Sequence, residues 1–265
     1  MRTAAIAVTL ACATILSVAA TSNASPGPLP EGKAGPPARL PDGLVAKPPR
    51  LVSPIESTGC QPAGYGPHYY APGTAKSVAL TLDDGPGKST RRILRILGRF
   101  HVAATFFNLG VNAAAHPRLL KAELNRGYVL GNHTWDHADL VKLSAARQAA
   151  EMDRMSTEQH DITGTWPCLF RPPYGAYNKA TLRLAQRRRL RVWLWSVDTE
   201  DWKAAGSASD YWIRRIIRLA ETEGIRLSHP VILMHNQPAG NPATVRALPT
   251  IIRYFKHHHY RFVKL

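Results

Sequence analysis

The strongest constraint on the fold is an alternation that begins near residue 77 and continues to the end of the printed sequence. Short apolar, β-prone runs alternate about seven times with segments whose apolar residues recur at helical spacing. Such an alternation predicts parallel strands joined by right-handed crossovers, either as an open doubly wound sheet or as a barrel. The predicted strands are residues 77–82, 104–109, 128–131, 169–171, 191–195, 231–234 and 261–263.

The intervening helices are bounded by capping residues and by breaks in the apolar pattern. Ser89 or Thr90 caps the first, Pro117 begins the second, and Asn178 caps the fourth. The predicted helices are residues 90–100, 117–127 and 144–162, one that begins after 178, and residues 210–224 and 242–257, the last with a kink at 249. In either architecture, binding residues collect at the carboxyl ends of the strands.

The segment before this alternation predicts export and then a linker. Residues 1–24 combine one arginine, an apolar run and a small-residue end, which is typical of a cleavable secretory signal. Residues 25–58 are predicted to be a disordered linker, because nine prolines lie between 25 and 54 without a periodic apolar face. Residues 59–265 form the predicted catalytic domain. We expect a secreted protein with no transmembrane span after signal cleavage. Its linker would be able to span a cell wall and associate the protein with it.

Two cysteines remain once the signal is removed, and both would lie in an oxidising compartment. Cys60 and Cys168 are therefore expected to form a disulfide. On the chain-entropy account, closing a loop of that size stabilises the fold by about 4 to 5 kcal/mol. The alternative, a reactive thiol at Cys168, lacks an adjacent base in the sequence.

The chain is strongly basic, with a formal net charge of +16 at pH 7. Its partners are expected to be anionic, and anionic cell-wall polymers are the first that an exported protein meets. Nucleic acid is not expected as a partner, because the basic residues are scattered and no recognisable nucleic-acid motif is present. A solvated basic surface without a specific partner is the alternative interpretation.

Polar residues follow the predicted strands in a pattern that indicates a metal site. Asp83 and Asp84 end the first strand, and their side chains are expected to leave it in different directions, so that one can bind while the other reacts. His133 and His137 follow the third strand and share one face if that segment is helical. Two histidines and one of the carboxylates would hold a divalent cation with open positions for water and substrate.

Three further strand ends carry groups suited to catalysis. Arg171 is followed by two prolines that stiffen the backbone, so nearby amides have fixed directions. An acidic cluster at 198–201 could supply a buried carboxylate that orients a histidine. His235 ends an apolar strand. Each of these, taken alone, also fits a structural role: a rigid turn, an acidic loop and a buried core histidine.

Five motifs in this order resemble the polysaccharide deacetylase family, which carries the NodB homology domain and is also called carbohydrate esterase family 4. The resemblance runs from about residue 77 to 265. The motifs are Thr-Leu-Asp-Asp-Gly-Pro at 81–86, His-x-x-x-His at 133–137, Arg-Pro-Pro-Tyr-Gly at 171–175, Asp-x-x-Asp-Trp at 198–202 and Leu-Met-His at 233–235.

The resemblance implies a fold and a set of roles. The implied fold is α/β, a distorted barrel of about seven parallel strands, and the implied chemistry is metal-dependent removal of acetyl groups, usually with zinc. Asp84, His133 and His137 would bind the metal. Asp83 would be the general base and Arg171 its partner. His235 would be the general acid, oriented by the Asp201 carboxylate. The Tyr174 amide would bind the oxyanion, and Trp202 and Leu233 would form the walls of the acetyl pocket.

The sequence departs from the family pattern at two positions. Leu82 replaces phenylalanine, and Asn236 stands where many relatives carry aspartate, which affects only an outer contact. The expected substrate is an N-acetylated polysaccharide, peptidoglycan before chitin oligomers, acted on by a monomer.

Three alternatives stay open at this point. They are O-deacetylation of acetylxylan on the same fold, a non-catalytic wall-binding module with a structural metal, and a metal-dependent phosphodiesterase prompted by the charge. The phosphodiesterase is least favoured, since such sites commonly use two ions.

Overall fold

The computed structural model of the protein describes residues 60–204 and 206–265. The predicted signal peptide at 1–24 and the predicted linker at 25–58 lie outside the described residues and stay predictions. Within the described residues, no helix has both the length and the apolar character needed to cross a membrane.

The described chain forms one parallel sheet curved into an open barrel. Its strands are β1 (Pro67–His68), β2 (Ser77–Gly85), β3 (Thr105–Asn108), β4 (Val129–Asn132), β5 (Leu169–Phe170), β6 (Arg191–Trp193), β7 (Val197–Asp198), β8 (Val231–His235) and β9 (Arg261–Phe262). The strand order is β1-β6-β5-β4-β3-β2-β8-β7, every pairing is parallel, and β9 pairs with the start of β2. No ladder between described residues joins β1 to β7, so the barrel stays open there.

The helices surround this sheet. They are α1 (Thr90–Phe100), α2 (Gly110–Ala115), α3 (Pro117–Asn125), α4 (Ala145–Thr163), α5 (Lys179–Arg187), α6 (Asp210–Gly224) and α7 (Pro242–His257). Asn178 caps α5 as predicted: its side chain accepts from the Thr181 amide, and the Thr181 hydroxyl accepts from the Asn178 amide. The last helix continues through Pro249, which lies inside α7.

All seven predicted strands are present, and the barrel of parallel strands is confirmed. Two differences have simple causes. The strands β1 (Pro-His) and β7 (Val-Asp) were not predicted, because neither contains an apolar run. The first predicted strand runs three residues past its apolar part, because β3 and β8 pair with Asp83 as well as with the apolar residues before it.

Strand β2 is the centre of the barrel and is buried along its whole length. Val78, Leu80 and Leu82 join the main apolar cluster with α1 and α7. The alternate residues Thr81 and Asp83 both accept hydrogen bonds from the buried guanidinium of Arg171. The two-residue period of a strand therefore separates an apolar face from a polar one.

The predicted disulfide is present in the structure and joins Cys60 to Cys168. It connects the start of the described chain to the residue before β5. Arg189 donates through Nη1 to the Cys60 carbonyl across 3.3 Å, which adds a second contact to the same segment.

Candidate active site

The carboxyl ends of the central strands surround a cavity of about 330 Å³. The end of β2 contributes Asp83 and Asp84, the loop after β4 contributes His133 and His137, and the end of β8 contributes His235. Positions separated by as many as 152 residues therefore meet in one cavity, as the rule for parallel strands predicts.

The two aspartates reach this same cavity, although alternation along a strand predicts opposite directions. The structure corrects that expectation through a bulge. Asp84 has a positive φ of 67°, and the pairing register between β2 and β3 shifts between Asp83 and Gly85. A bulge of this kind changes the direction of a side chain at the end of a strand.

Three ligand atoms converge as the metal prediction requires. The Asp84 carboxylate oxygen Oδ1 lies 3.4 Å from Nε2 of His133 and 3.3 Å from Nε2 of His137. These three residues form a group whose ligand atoms all lie within 4.8 Å of one another. With ligand bonds of about 2.0 to 2.1 Å, the edge of a tetrahedral site measures about 3.3 Å. The distances of 3.4 and 3.3 Å fit such a site, and the buried Oδ1 accepts no hydrogen bond within the described structure.

The segment from His133 to His137 is a loop, whereas a shared face for the two histidines was expected from a helix. Its residues bend back instead, with positive φ angles of 72° at Thr134 and 69° at His137. Glu151 on α4 holds this loop by accepting hydrogen bonds from the amides of Trp135 at 2.9 Å and Asp136 at 3.3 Å. The loop also packs closely on α2, since a Cβ at Gly110 would lie 2.2 Å from the Trp135 ring.

The protonation states of the three ligands suit a cation. Nδ1 of His133 donates to the Arg171 carbonyl at 2.6 Å, which leaves Nε2 with its lone pair. Burial and the neighbouring His133 lower the pKa of His137, against the opposing charge of Asp84. Burial raises the pKa of Asp84, but the nearby imidazoles of His133, His235 and His137 outweigh it, so that the pKa lies well below its usual value.

The expected partnership of Asp83 and Arg171 is present. Nη1 of Arg171 donates to Oδ1 of Asp83 at 2.7 Å, and both side chains are buried. The guanidinium is also held by the backbone, with Nε donating to the Trp193 carbonyl and Nη2 to the Leu194 carbonyl. Oδ2 of Asp83 stays on the side of the ligand group, 3.7 Å from Nε2 of His133.

The expected partnership of His235 and Asp201 is also present. Nδ1 of His235 lies 2.7 Å from Oδ1 of Asp201, whose Oδ2 accepts from the His235 amide at 2.8 Å and from the Thr244 hydroxyl at 2.6 Å. Burial alone would lower the pKa of His235. The charge and hydrogen bond of Asp201, together with Asp83 and Asp84, raise it to about 9.

The predicted wall residues line the same cavity. Tyr174, Trp202 and Leu233 are all part of it, and the Tyr174 ring contacts His137 edge-on at 4.5 Å between centroids. Tyr174 and Trp202 are well exposed, at 68% and 46%, which leaves apolar surface available to a ligand.

Several contributors were not singled out from the sequence. Trp195 and Gln237 line the cavity, and Nε2 of Gln237 lies 3.4 Å from Oδ2 of Asp84. Asp198 also lines it and was named from the sequence only as part of the acidic motif. Gln237 could have been found from its place two residues after a strand-end histidine. Glu151 lies on a polar helix where nothing in the local pattern distinguishes it from its neighbours.

Comparison with known proteins identifies the family of the chain. The sequence model of the family described as polysaccharide deacetylase matches residues 70–193. A peptidoglycan-N-acetylglucosamine deacetylase from Bacillus cereus is 35% identical over 203 residues, which cover 76% of this chain and 71% of the relative. The chain belongs to the polysaccharide deacetylase family.

A second relative is longer, and one solved structure shares the fold. The peptidoglycan-N-acetylglucosamine deacetylase PgdA of Listeria monocytogenes is 36% identical over 193 residues, covering 72% of this chain but 38% of the relative. The chain therefore matches well under half the length of that relative. The crystal structure of the Bc1960 peptidoglycan N-acetylglucosamine deacetylase superposes with a TM-score of 0.70 and 34% identity, covering 76% of this chain and 91% of that one.

Proposed function

We propose that the protein is a secreted, metal-dependent hydrolase that removes N-acetyl groups from N-acetylglucosamine residues of a polysaccharide, with peptidoglycan as the favoured substrate. One observation carries the proposal: three metal-ligand atoms, a buried carboxylate and a histidine paired with a second buried carboxylate border a single open cavity. The names of the Bacillus and Listeria relatives support the same substrate class.

Two imidazoles and one carboxylate are the donor set of many catalytic zinc sites, so zinc is the metal we propose. A divalent cation held there would polarise the acetyl carbonyl and make a water molecule more acidic. Asp84, His133 and His137 are the residues that would hold it. The lowered pKa values of Asp84 and His137 keep both in the deprotonated form that binds a cation.

Asp83 is the proposed general base. Arg171 binds one of its oxygens and leaves Oδ2 to accept the proton of the attacking water. Because the guanidinium is fixed by two backbone carbonyls and the Thr81 hydroxyl, the carboxylate cannot rotate away from the cavity without losing that hydrogen bond.

His235 is the proposed general acid. Its Nδ1 is hydrogen-bonded to Asp201, so Nε2 is the ring nitrogen that can donate a proton to a ligand in the cavity. The raised pKa means that the imidazole carries a proton at neutral pH. That proton would pass to the amide nitrogen, which becomes a good leaving group only when protonated. The developing oxyanion would lie near the Tyr174 amide, the donor proposed from the sequence.

The test is acetate release from a substrate panel by wild type beside Asp83→Asn. The panel contains purified peptidoglycan, chitin pentamer and acetylxylan, each assayed with and without a metal chelator. We expect release from peptidoglycan to exceed release from chitin pentamer, to stop with chelator and to be lost in the variant. Release from acetylxylan alone would instead establish an O-deacetylase.

A wall-binding module is the remaining candidate, and the same samples separate it from an enzyme. Binding to insoluble wall that survives chelation, with no acetate released from any substrate, would establish the module. A structural metal site would not need Asp83, Arg171, Asp201 and His235 to be assembled beside it. We propose that the enzyme acts as a monomer, since one chain supplies the whole lining of the cavity.

A further inference from the structure

Two adjoining cavities lie on the outside of the barrel, where α1 and α3 pack together. The first has a volume of about 320 Å³ and is lined by Arg91, Arg95, Arg118 and Arg126 around an apolar floor. The second, of about 360 Å³, shares Arg126 and adds Lys264, His101 and Tyr128 to a lining that is otherwise apolar or glycine. Because they share Arg126, we treat the two cavities as one feature, the basic groove.

The basic groove carries positive charge that nothing in the described structure balances. No Asp or Glu side chain lines either cavity. The four arginines make no ion pair and no side-chain hydrogen bond with any other described residue. The one acid of the two helices, Glu123, is buried beneath them and bonded to Asn108.

Four like charges around one small cavity repel one another, and a bound anion relieves that repulsion. Arginine is also the residue best suited to oxyanions, because its planar fork binds two oxygens at once. A tetrahedral phosphate offers oxygens in several directions and can meet guanidinium groups from both helices, whereas a flat carboxylate offers one edge.

The groove is separate from the catalytic cavity. The two share no lining residue. The second part of the groove lies beside Val102 and Gly127, which precede β3 and β4 and so mark the amino ends of those strands. The catalytic residues lie at the opposite, carboxyl ends.

We propose that the basic groove binds the phosphate groups of a polyol-phosphate polymer, and so holds the enzyme on a phosphate-bearing wall while the catalytic cavity stays free. Two adjoining cavities suit two successive units of such a polymer. The apolar floor, which includes Leu94, Leu119 and Ala122, offers contact to the carbon atoms between phosphates. Binding of the polymer does not depend on the proposed deacetylation, whereas attachment of an active enzyme to a wall rests on the proposed function.

The experiment compares two variants of equal charge. Arg95→Gln/Arg126→Gln removes one arginine from each side of the groove. Arg183→Gln/Arg187→Gln is the control, because it removes two exposed arginines of α5, outside the groove. Binding of poly(glycerol phosphate) is measured by calorimetry with the full chain at two salt concentrations, and acetate release from a soluble N-acetylglucosamine oligomer is measured beside it.

We expect the groove variant to bind the polymer at least tenfold more weakly, with a smaller salt dependence, while the control variant binds like wild type. Both variants should release acetate at the wild-type rate. Equal weakening in the two variants would overturn the proposal in favour of general charge attraction. Tighter binding of polygalacturonate, or of a single-stranded oligonucleotide of matched charge, would overturn the assignment to a polyol phosphate.

Discussion

The guanidinium of Arg171 donates to Asp83 across 2.7 Å, although the two residues are 88 positions apart in the chain. The same guanidinium also binds the Thr81 hydroxyl and two backbone carbonyls at the end of β6, those of Trp193 and Leu194. One side chain thus joins three strands at the point where the proposed base must be held. Its position is set before any substrate arrives, which is the condition for efficient proton transfer.

Replacement of Arg171 by lysine should therefore reduce turnover more than binding. Lysine keeps the charge but cannot form the fork that binds both carbonyls and Asp83 together. We expect kcat to fall by about 100-fold, the usual cost of a small misplacement of a reacting group. Metal affinity, measured by competition with a chromophoric chelator, should stay within about twofold because Arg171 touches no ligand through its side chain. A large loss of metal affinity with unchanged kcat would contradict this role.

Loss of a metal ligand should remove both binding and activity. Asp84→Asn keeps the shape of the side chain but removes the charge that two imidazoles face at 3.4 and 3.3 Å. Metal affinity should fall by more than the roughly 10- to 100-fold typical of outer contacts. The measurement is metal content after dialysis, with Asp198→Asn as a control that lines the cavity outside the ligand group. Full metal content in Asp84→Asn would show that Asp84 is not a metal ligand and would contradict the proposed site.

The pH profile should report the partnership of His235 and Asp201. Because the acid must carry its proton, activity should fall as pH rises through the pKa of His235, raised to about 9 in the unloaded protein. Asp201→Asn removes the charge that raises this pKa, so the alkaline limb of kcat/KM should move to lower pH. His235→Gln should lose about 10²- to 10⁴-fold in kcat and the limb altogether. If the alkaline limb of the pH profile stays unchanged in Asp201→Asn, the limb reports the titration of a group other than His235.

Glu151 should act through the loop that carries the second histidine. Glu151→Ala leaves the amides of Trp135 and Asp136 without their acceptor, so the loop loses the contact that holds its bent conformation. We expect metal affinity to fall by about 10- to 100-fold, as for other outer contacts, with partial recovery in Glu151→Gln. Glu158→Ala, on the same helix, is the matched control. Equal metal affinities in wild type and the three variants would show that the loop keeps its conformation without Glu151.

Stability should decline with rising pH because of Glu123. Burial raises the pKa of this fully buried carboxyl to about 8, against a weaker lowering by the Asn108 hydrogen bond. The folded state therefore holds a proton that the unfolded state has lost. The contribution is greatest below about pH 4.5, declines between about 4.5 and 8, and is absent above, amounting to at most about 5 kcal/mol.

Glu123→Gln is the control for that decline, because glutamine resembles the protonated acid at every pH. Urea unfolding of both proteins from pH 5 to 9 gives the difference directly and cancels the contributions of other groups. We expect the variant to gain stability relative to wild type as pH rises. A constant difference would mean that Glu123 is ionised throughout.

Local patterns in the sequence were sufficient for most of the elements and for the strand ends that carry the chemistry. The period of apolar residues predicted seven parallel strands in an open sheet or a barrel, and the resemblance of the motifs implied the barrel. The residues after the strands proved to border one cavity. Side-chain period and capping are short-range properties, so a single sequence contains them. Helix α2 and the strands β1 and β7 were not predicted, and neither of these strands contains an apolar run.

Only the tertiary structure decided how the ligand atoms meet. The bulge at Asp84, the bent loop between His133 and His137 and the support from Glu151 all depend on contacts between distant segments. The basic groove likewise exists because α1 and α3 pack side by side, each bringing arginines to the other. Sequence spacing limits which residues can share a strand end, but distances between side chains follow from register and packing, which local pattern does not contain.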